Sequence, residues 1–172
     1  MQKIFEGNRG EIFLIDYFGK PAVLKRFKNG DLQKAKKEAN ILSLLEPFAI
    51  APKLYELYED CIIMEYLEGI SFKEALQKDR KKSIAQALHI CYVLDNVGIY
   101  HKELGRYYHF ILTKNGMRLL DFERAQLGKR GKNVLQFIGF YLRDLDLQKE
   151  IALYKRDQKE GFLALTKALD VL

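Results

Sequence analysis

The stretch HKELGRYYHFILTKNGMRLLDFERA, residues 101–125, is the part of the chain whose reading decides the fold. Two short apolar bursts, Phe110-Ile111-Leu112 and Met117 to Leu120, flank Lys114-Asn115-Gly116. Asn-Gly tolerates positive φ at low cost, so the pattern predicts a β-hairpin. Ionisable residues stand on both sides of it: His101, Glu103, Arg106 and His109 before, Asp121 and Glu123 after. No helical periodicity runs through Ile99 to Ala125, which makes this a non-helical island in the second half of the chain.

Outward toward the amino terminus the sequence is strand-like. Glu11 to Tyr17 and Ala22 to Phe27 alternate or run apolar around Gly19-Lys20-Pro21, which predicts a second hairpin. Asn29-Gly30-Asp31 ends the strand and offers Asp31 as the cap of a helix from Leu32 to Leu45, with Ala35, Ala39, Leu42 and Leu45 on one stripe. Pro47 to Pro52 reads as a loop. Lys53 to Glu59 and Cys61 to Tyr66 read as another antiparallel pair, and Gly69 closes this half.

Beyond Gly69 the reading is mainly helical. Ser71 and Glu74 have capping-box spacing. The helical period then continues, broken near Lys78 to Lys82, through Ile84, Leu88, Cys91 and Leu94 to Gly98. After the island, helices are expected at Asn133 to Asp144 and Leu147 to Leu169. The expected organisation is α+β: an amino-terminal unit of sheet plus one helix, residues 1–68, and a mostly helical unit, residues 69–172.

Composition narrows the class. The chain has 172 residues, 48% of them hydrophobic and 30% charged, with only 3 Pro, which is the balance of an ordered globular protein. Met1 to Glu6 lacks the pattern of a signal peptide and the apolar runs are too short to span a bilayer, so no transmembrane segment and a cytoplasmic location are expected. Cys61 and Cys91 stand alone, offering neither a metal knuckle nor a redox pair, and are read as reduced core residues. The net charge of +6 and a pI near 9.2 favour polyanionic partners, nucleotide or nucleic acid among them. Lys78 to Lys82 and Lys129 to Lys132 are the basic clusters.

Several residues carry chemistry. Gly7-Asn8-Arg9-Gly10 precedes the strand containing Ile12, and its backbone N–H groups could lie over phosphates. A plain strand-entry turn is the alternative. Lys25 lies in the apolar run Ala22-Val23-Leu24-Lys25, and an ammonium emerging there wants an anion. As an edge-strand residue it would face solvent instead. Glu38, beside the apolar stripe of the next helix, is its candidate partner. Ile62-Ile63-Met64-Glu65-Tyr66-Leu67 is an apolar strand ending in a bulky Met64, and its form is similar to a kinase hinge, which implies backbone groups near Glu65 to Leu67 that bond adenine.

This ordered set resembles the protein-kinase-like superfamily, in which a glycine-rich loop, a strand Lys, a helix Glu, a hinge, an H-R-D-L catalytic loop and a D-F-G turn follow one another. The resemblance covers about Phe5 to Ala125. It is similar in particular to short archaeal and bacterial predicted Ser/Thr kinases with an HxEL loop and a DFE turn. The D-h-x-R-A segment also resembles lipopolysaccharide-core (Kdo/heptose) kinases and, more distantly, the RIO and KEOPS-type kinases. The resemblance implies a bilobal fold with a truncated carboxy-terminal lobe, and ATP and Mg²⁺ as cofactors. It places Gly7, Asn8, Gly10, Ile12, Lys25, Met64, Glu65, Tyr66 and Leu67 about the nucleotide. Lys25 and Glu38 would orient the phosphates, Asp121 would hold the metal with help from His109, and Glu103 would orient or deprotonate a hydroxyl. Arg106 would supply the cation that kinases draw from a catalytic-loop Lys, or is simply a solvated loop residue.

Three residues depart from that pattern: Glu103 stands where Asp is expected, His109 near the place of Asn, and Glu123 in place of the Gly of D-F-G. Glu103 keeps the carboxylate on a longer arm. His109 is a poor ligand for Mg²⁺, which prefers oxygen. No A-P-E motif follows Asp121. The acceptor, whether protein, sugar or lipid, is left open. Two other readings stand beside phosphoryl transfer: a nucleotide-binding pseudokinase or scaffold, and a basic nucleic-acid-associated module resting on charge alone. His89 and His101 are read as structural, His101 as a brace of the loop it opens.

Overall fold

The computed structural model describes residues 1–7, 10–128 and 132–172, and has mixed α+β architecture. Its first part is a five-stranded antiparallel sheet of order β1-β2-β3-β5-β4, formed by β1 (Gln2–Gly7), β2 (Gly10–Tyr17), β3 (Lys20–Phe27), β4 (Leu54–Tyr58) and β5 (Cys61–Glu65). The β2–β3 hairpin turns at Phe18 and Gly19, whose φ values of 53° and 78° are those of a two-residue turn that follows the strand twist. Asp16 Oδ1 accepts from Gly19 N at 3.0 Å. The turn therefore starts one residue earlier than the expected Gly19-Lys20-Pro21 and ends two residues earlier. Lys20 and Pro21 already belong to β3, where Pro21 lies before the pairing with β5 begins and so takes no hydrogen bond from that ladder.

β1 was not anticipated. A register shift between Lys3 and Phe5 breaks its pairing with β2, so no two-residue alternation survives in its sequence. Gly10 answers to packing: a Cβ there would lie 2.2 Å from the Arg26 carbonyl oxygen of β3.

Helix α1 (Leu32–Leu45) begins where its sequence predicts, with Asp31 Oδ1 accepting from Lys34 N at 3.1 Å. It buries Ala35, Glu38, Ala39, Ile41, Leu42 and Leu45 and packs on β3, β4 and β5. A short β6 (Gly69–Ser71) leads into α2 (Phe72–Lys78) through the expected capping box, Ser71 N donating to Glu74 Oε2 at 2.9 Å. Asp79 then caps α3 (Arg80–Val97), which locates the break near Lys78 to Lys82.

The island Ile99 to Ala125 holds β7 (Ile99–Tyr100), a 3-10 turn at Tyr107–His109, and the hairpin β8 (Phe110–Thr113) and β9 (Gly116–Leu119); β6 joins β8, and β10 (Gln126–Leu127) pairs with β7. Helix α4 (Asn133–Tyr141) stops three residues short of the expected Asp144. The single helix expected over Leu147 to Leu169 is two: α5 (Gln148–Arg156) and α6 (Gln158–Ala168), separated at Asp157, whose side chain accepts from Glu160 N at 3.0 Å. The two helices pack so closely that a Cβ on Gly161 would lie 2.2 Å from the Tyr154 Cα. Cys61 and Cys91 are free and buried. Among the described residues, no helix is long and apolar enough to cross a membrane.

Candidate functional site

The site forms where the sheet, α1 and the island meet. Strand β3 is central in its sheet, between β2 and β5, so Lys25 is no edge residue: it sits opposite Ile12 and Ile62 and is 7% exposed. A buried ammonium needs anions, and three lie within reach. Lys25 Nζ is 2.7 Å from Glu38 Oε2, 3.0 Å from Asp121 Oδ1 and 3.8 Å from Glu123 Oε2. Burial alone would lower the Lys25 pKa, but the Glu38 and Asp121 carboxylates outweigh it and hold the ammonium above its ordinary value. Glu38 is 1% exposed, and burial raises its carboxyl, the Lys25 ammonium working against that.

Glu38 does more than neutralise Lys25. Its other oxygen accepts from Phe122 N at 3.3 Å, so α1 grips the backbone of the turn that presents Asp121. Asp121 itself has φ of +62°, a left-handed conformation that Asp tolerates better than most residues but that costs on the order of 1 kcal/mol. Burial would raise the Asp121 carboxyl, yet the Lys25 ammonium pulls it below its ordinary value.

On the other side of Asp121, His109 is buried and spans two groups: Nε2 is 3.5 Å from Asp121 Oδ2 and Nδ1 is 3.2 Å from the Glu103 carbonyl. A carbonyl can only accept, so Nδ1 carries the proton. In the neutral ring Nε2 then turns a lone pair toward a carboxylate. Burial lowers the His109 pKa, which favours that neutral ring. His101, fully buried, is satisfied on both sides: Nε2 donates to Leu120 O at 2.8 Å and Nδ1 accepts from Glu103 N at 3.3 Å. Burial pushes its pKa down to about 4, so it stays neutral near pH 7 and braces the loop.

Glu103 is 7% exposed, with Arg106 Nη2 at 3.1 Å and Arg124 Nη1 at 3.6 Å from the same carboxylate oxygen, Oε1. Met64 is buried in β5, and the chain leaves regular structure at residues 66–68. The Glu65 N–H donates to Lys53 O at 2.8 Å, so of the backbone groups expected to be free near Glu65 this donor is engaged. Gly7 and Gly10 end β1 and open β2, facing each other in the ladder, and the expected Asn8 contact lies outside the described residues, as do Lys129, Arg130 and Gly131 of the second basic cluster. A half-open cavity lined by Glu46, Ala51, Lys53, Tyr55, Glu65 and Arg118 touches neither Lys25 nor Asp121.

Sequence reasoning missed the frame beneath the site. Asn133 Oδ1 accepts from His101 N at 3.0 Å, while Asn133 Nδ2 donates to Ile99 O and to Asp95 Oδ1, both at 2.7 Å. Asp95 also accepts from Asn133 N at 2.9 Å, Val134 N at 3.2 Å and the Tyr154 hydroxyl at 2.8 Å. Tyr141, packed edge-on against Phe72, donates to Leu104 O at 2.6 Å. One signal was available. Asp95 follows Cys91 by four residues and so stands on the apolar face of α3, where a charge needs a partner. Arg124 was noted only as part of a motif, and its reach back to Glu103 depends on the turn closed by Ala125 N donating to Phe122 O.

No protein-family model matches the chain. It is similar to an uncharacterized protein of Methanocaldococcus jannaschii, 38% identical over 74 residues, which are 41% of this chain and 64% of that protein. The matched region thus spans less than two thirds of the relative's length.

Proposed function

We propose that the protein is an atypical, bilobal protein-kinase-like phosphotransferase that moves the γ-phosphoryl group of ATP to an alcohol, with Mg²⁺ as cofactor. The observation that carries this reading is the convergence of Lys25, Glu38 and Asp121, separated by 13 and 96 positions in the chain, on one ammonium. Such an ion pair between a strand Lys and a helix Glu orients nucleotide phosphates in kinases. Residues 1–68 would form the lobe that covers the nucleotide, with Met64 behind the base and residues 65–67 along its edge, and residues 69–172 the lobe that carries the acceptor side. Asp121 Oδ2 and His109 Nε2, two acceptors 3.5 Å apart, are a donor set for a cation that completes its shell with phosphate oxygens and water. A bound Mg²⁺ supplies charge neutralisation for the migrating phosphoryl group.

In the transfer, the acceptor oxygen forms a bond to the γ-phosphorus and the bond from that phosphorus to the β,γ-bridging oxygen breaks. ADP leaves with the electron pair and the acceptor's proton goes to the Glu103 carboxylate. Lys25 holds the α- and β-phosphates, His101 fixes the loop that carries Glu103, and Arg106 offers positive charge on the acceptor side. The test is calorimetric titration with ATP and Mg²⁺ of the native protein and of Lys25→Ala, together with γ-phosphate release by native protein and Glu103→Gln. Nucleotide affinity that is equal in the first pair refutes the ion-pair assignment.

A second reading, a nucleotide-binding scaffold that performs no transfer, is supported by the two guanidiniums at Glu103, which occupy the carboxylate that would have to take the acceptor's proton. Release of γ-phosphate at background level by native protein that binds ATP would favour it.

A further inference from the structure

Two guanidiniums converge on one carboxylate, and both are about half exposed. Arg106 and Arg124 are 48% and 52% exposed, whereas the Glu103 side chain they share is 5% exposed. They arrive from different segments, Arg106 from the loop that opens with His101 and Arg124 from the turn after Asp121. A single carboxylate oxygen cannot use two planar forks, and a phosphate monoester can: it has about two negative charges at neutral pH and three acceptor oxygens, and guanidinium binds it bidentately. Arg106 is held toward this place by donating to the Tyr108 hydroxyl, with its guanidinium carbon 5.9 Å from the centre of that ring.

We infer that Arg106 and Arg124 form an anion subsite and that the acceptor is a small soluble alcohol already carrying a phosphate group. This rests on the phosphotransferase reading for the role of the alcohol, and on the arginine pair alone for the anion. Because both guanidiniums contact the same oxygen of Glu103, a phosphate bound between them lies within a few bonds of a hydroxyl placed on that carboxylate. A compact molecule fits this spacing. Binding of the phosphate draws the two guanidiniums toward it and away from Glu103.

The experiment follows the arginine Nε–Hε resonances by NMR while inorganic phosphate, then glycerol 3-phosphate, is titrated at constant ionic strength. A saturating non-hydrolysable ATP analogue and Mg²⁺ are present to fill the nucleotide site. The expected result is saturable shifts of Arg106 and Arg124, with affinity reduced at least tenfold in Arg124→Gln and in Arg106→Gln. Shifts that never saturate, or that are undiminished in both variants, overturn the inference, whether or not the analogue binds. Binding of phosphatidate vesicles without a response to glycerol 3-phosphate overturns the soluble acceptor. Failure of the analogue to bind, with phosphate still saturable and variant-sensitive, overturns the phosphotransferase reading and leaves the anion subsite standing.

Discussion

Two buried polar clusters lie on either side of the loop that opens with His101, and they are built on opposite rules. Around Asp95, every group meets a complementary one: four hydrogen bonds arrive at one carboxylate, and Asn133 uses its amide donor and acceptor together. Around Lys25, one ammonium faces Glu38, Asp121 and Glu123, so acids outnumber the cation, and Asp121 and His109 present two acceptors to each other. A satisfied network is a brace. An excess of acids around one cation is a cluster that further positive charge would stabilise. The comparison separates the residues that hold the loop from those proposed to bind.

The largest effect should come from breaking the brace. Asp95→Ala strands the Asn133 and Val134 amides and the Tyr154 hydroxyl, and should lower stability by about 4 kcal/mol in urea titration. A loss under 1 kcal/mol would mean that water replaces the carboxylate. The next test is acid. His101 has a folded-state pKa of about 4 against an ordinary 6.5, so the unfolded chain binds its proton more readily, and stability present above pH 6.5 is lost as pH falls toward 4. The loss attributable to this ring should be about 3 kcal/mol. His101→Gln should flatten that segment of the stability–pH curve, and an unchanged slope would assign the acid sensitivity elsewhere.

At the open cluster the effects should appear in binding. Lys25→Ala should weaken ATP affinity roughly a hundredfold, the scale of losing one preorganised charged donor. It should also destabilise by leaving Glu38 buried without its cation. Adding Glu38→Leu should restore stability but not affinity, which would sharpen the contrast, since no such split between folding and binding is expected at Asp95. The smallest effect belongs to Tyr154→Phe, which removes one hydrogen bond of the brace and should cost about 1 kcal/mol in the same urea titration, with ATP binding untouched.

Much of the framework could be read locally. Asp31 and Ser71 cap helices where their spacing says they should, and the expected hairpin forms in the island, its turn at Lys114 and Asn115 with the positive φ at Gly116. The places where reading failed have local causes. The register shift in β1 erased its alternation, and Asp157 with Glu160 repeats the cap spacing already trusted at Ser71 but lies inside a continuous helical period. Lys25 and Glu38 were paired in advance because an ammonium in an apolar strand needs an anion and because their order resembles a known pattern, and Asn133 had no such guide.

From its sequence alone this chain determined its strands, caps and turns, because those depend on contacts within a few positions: a side chain and a backbone amide three residues on, or a φ angle that only certain residues accept. The meeting of Lys25 with Asp121, the pair of arginines on Glu103 and the grip of Asn133 on His101 were decided by tertiary structure. These groups lie 96, 3 and 21, and 32 positions apart, and what brings them together is the docking of the helices and the island against the sheet. Burial then turned ordinary polar residues into groups that must find one another, because an unpaired charge or amide in the interior costs more than the chain can spare.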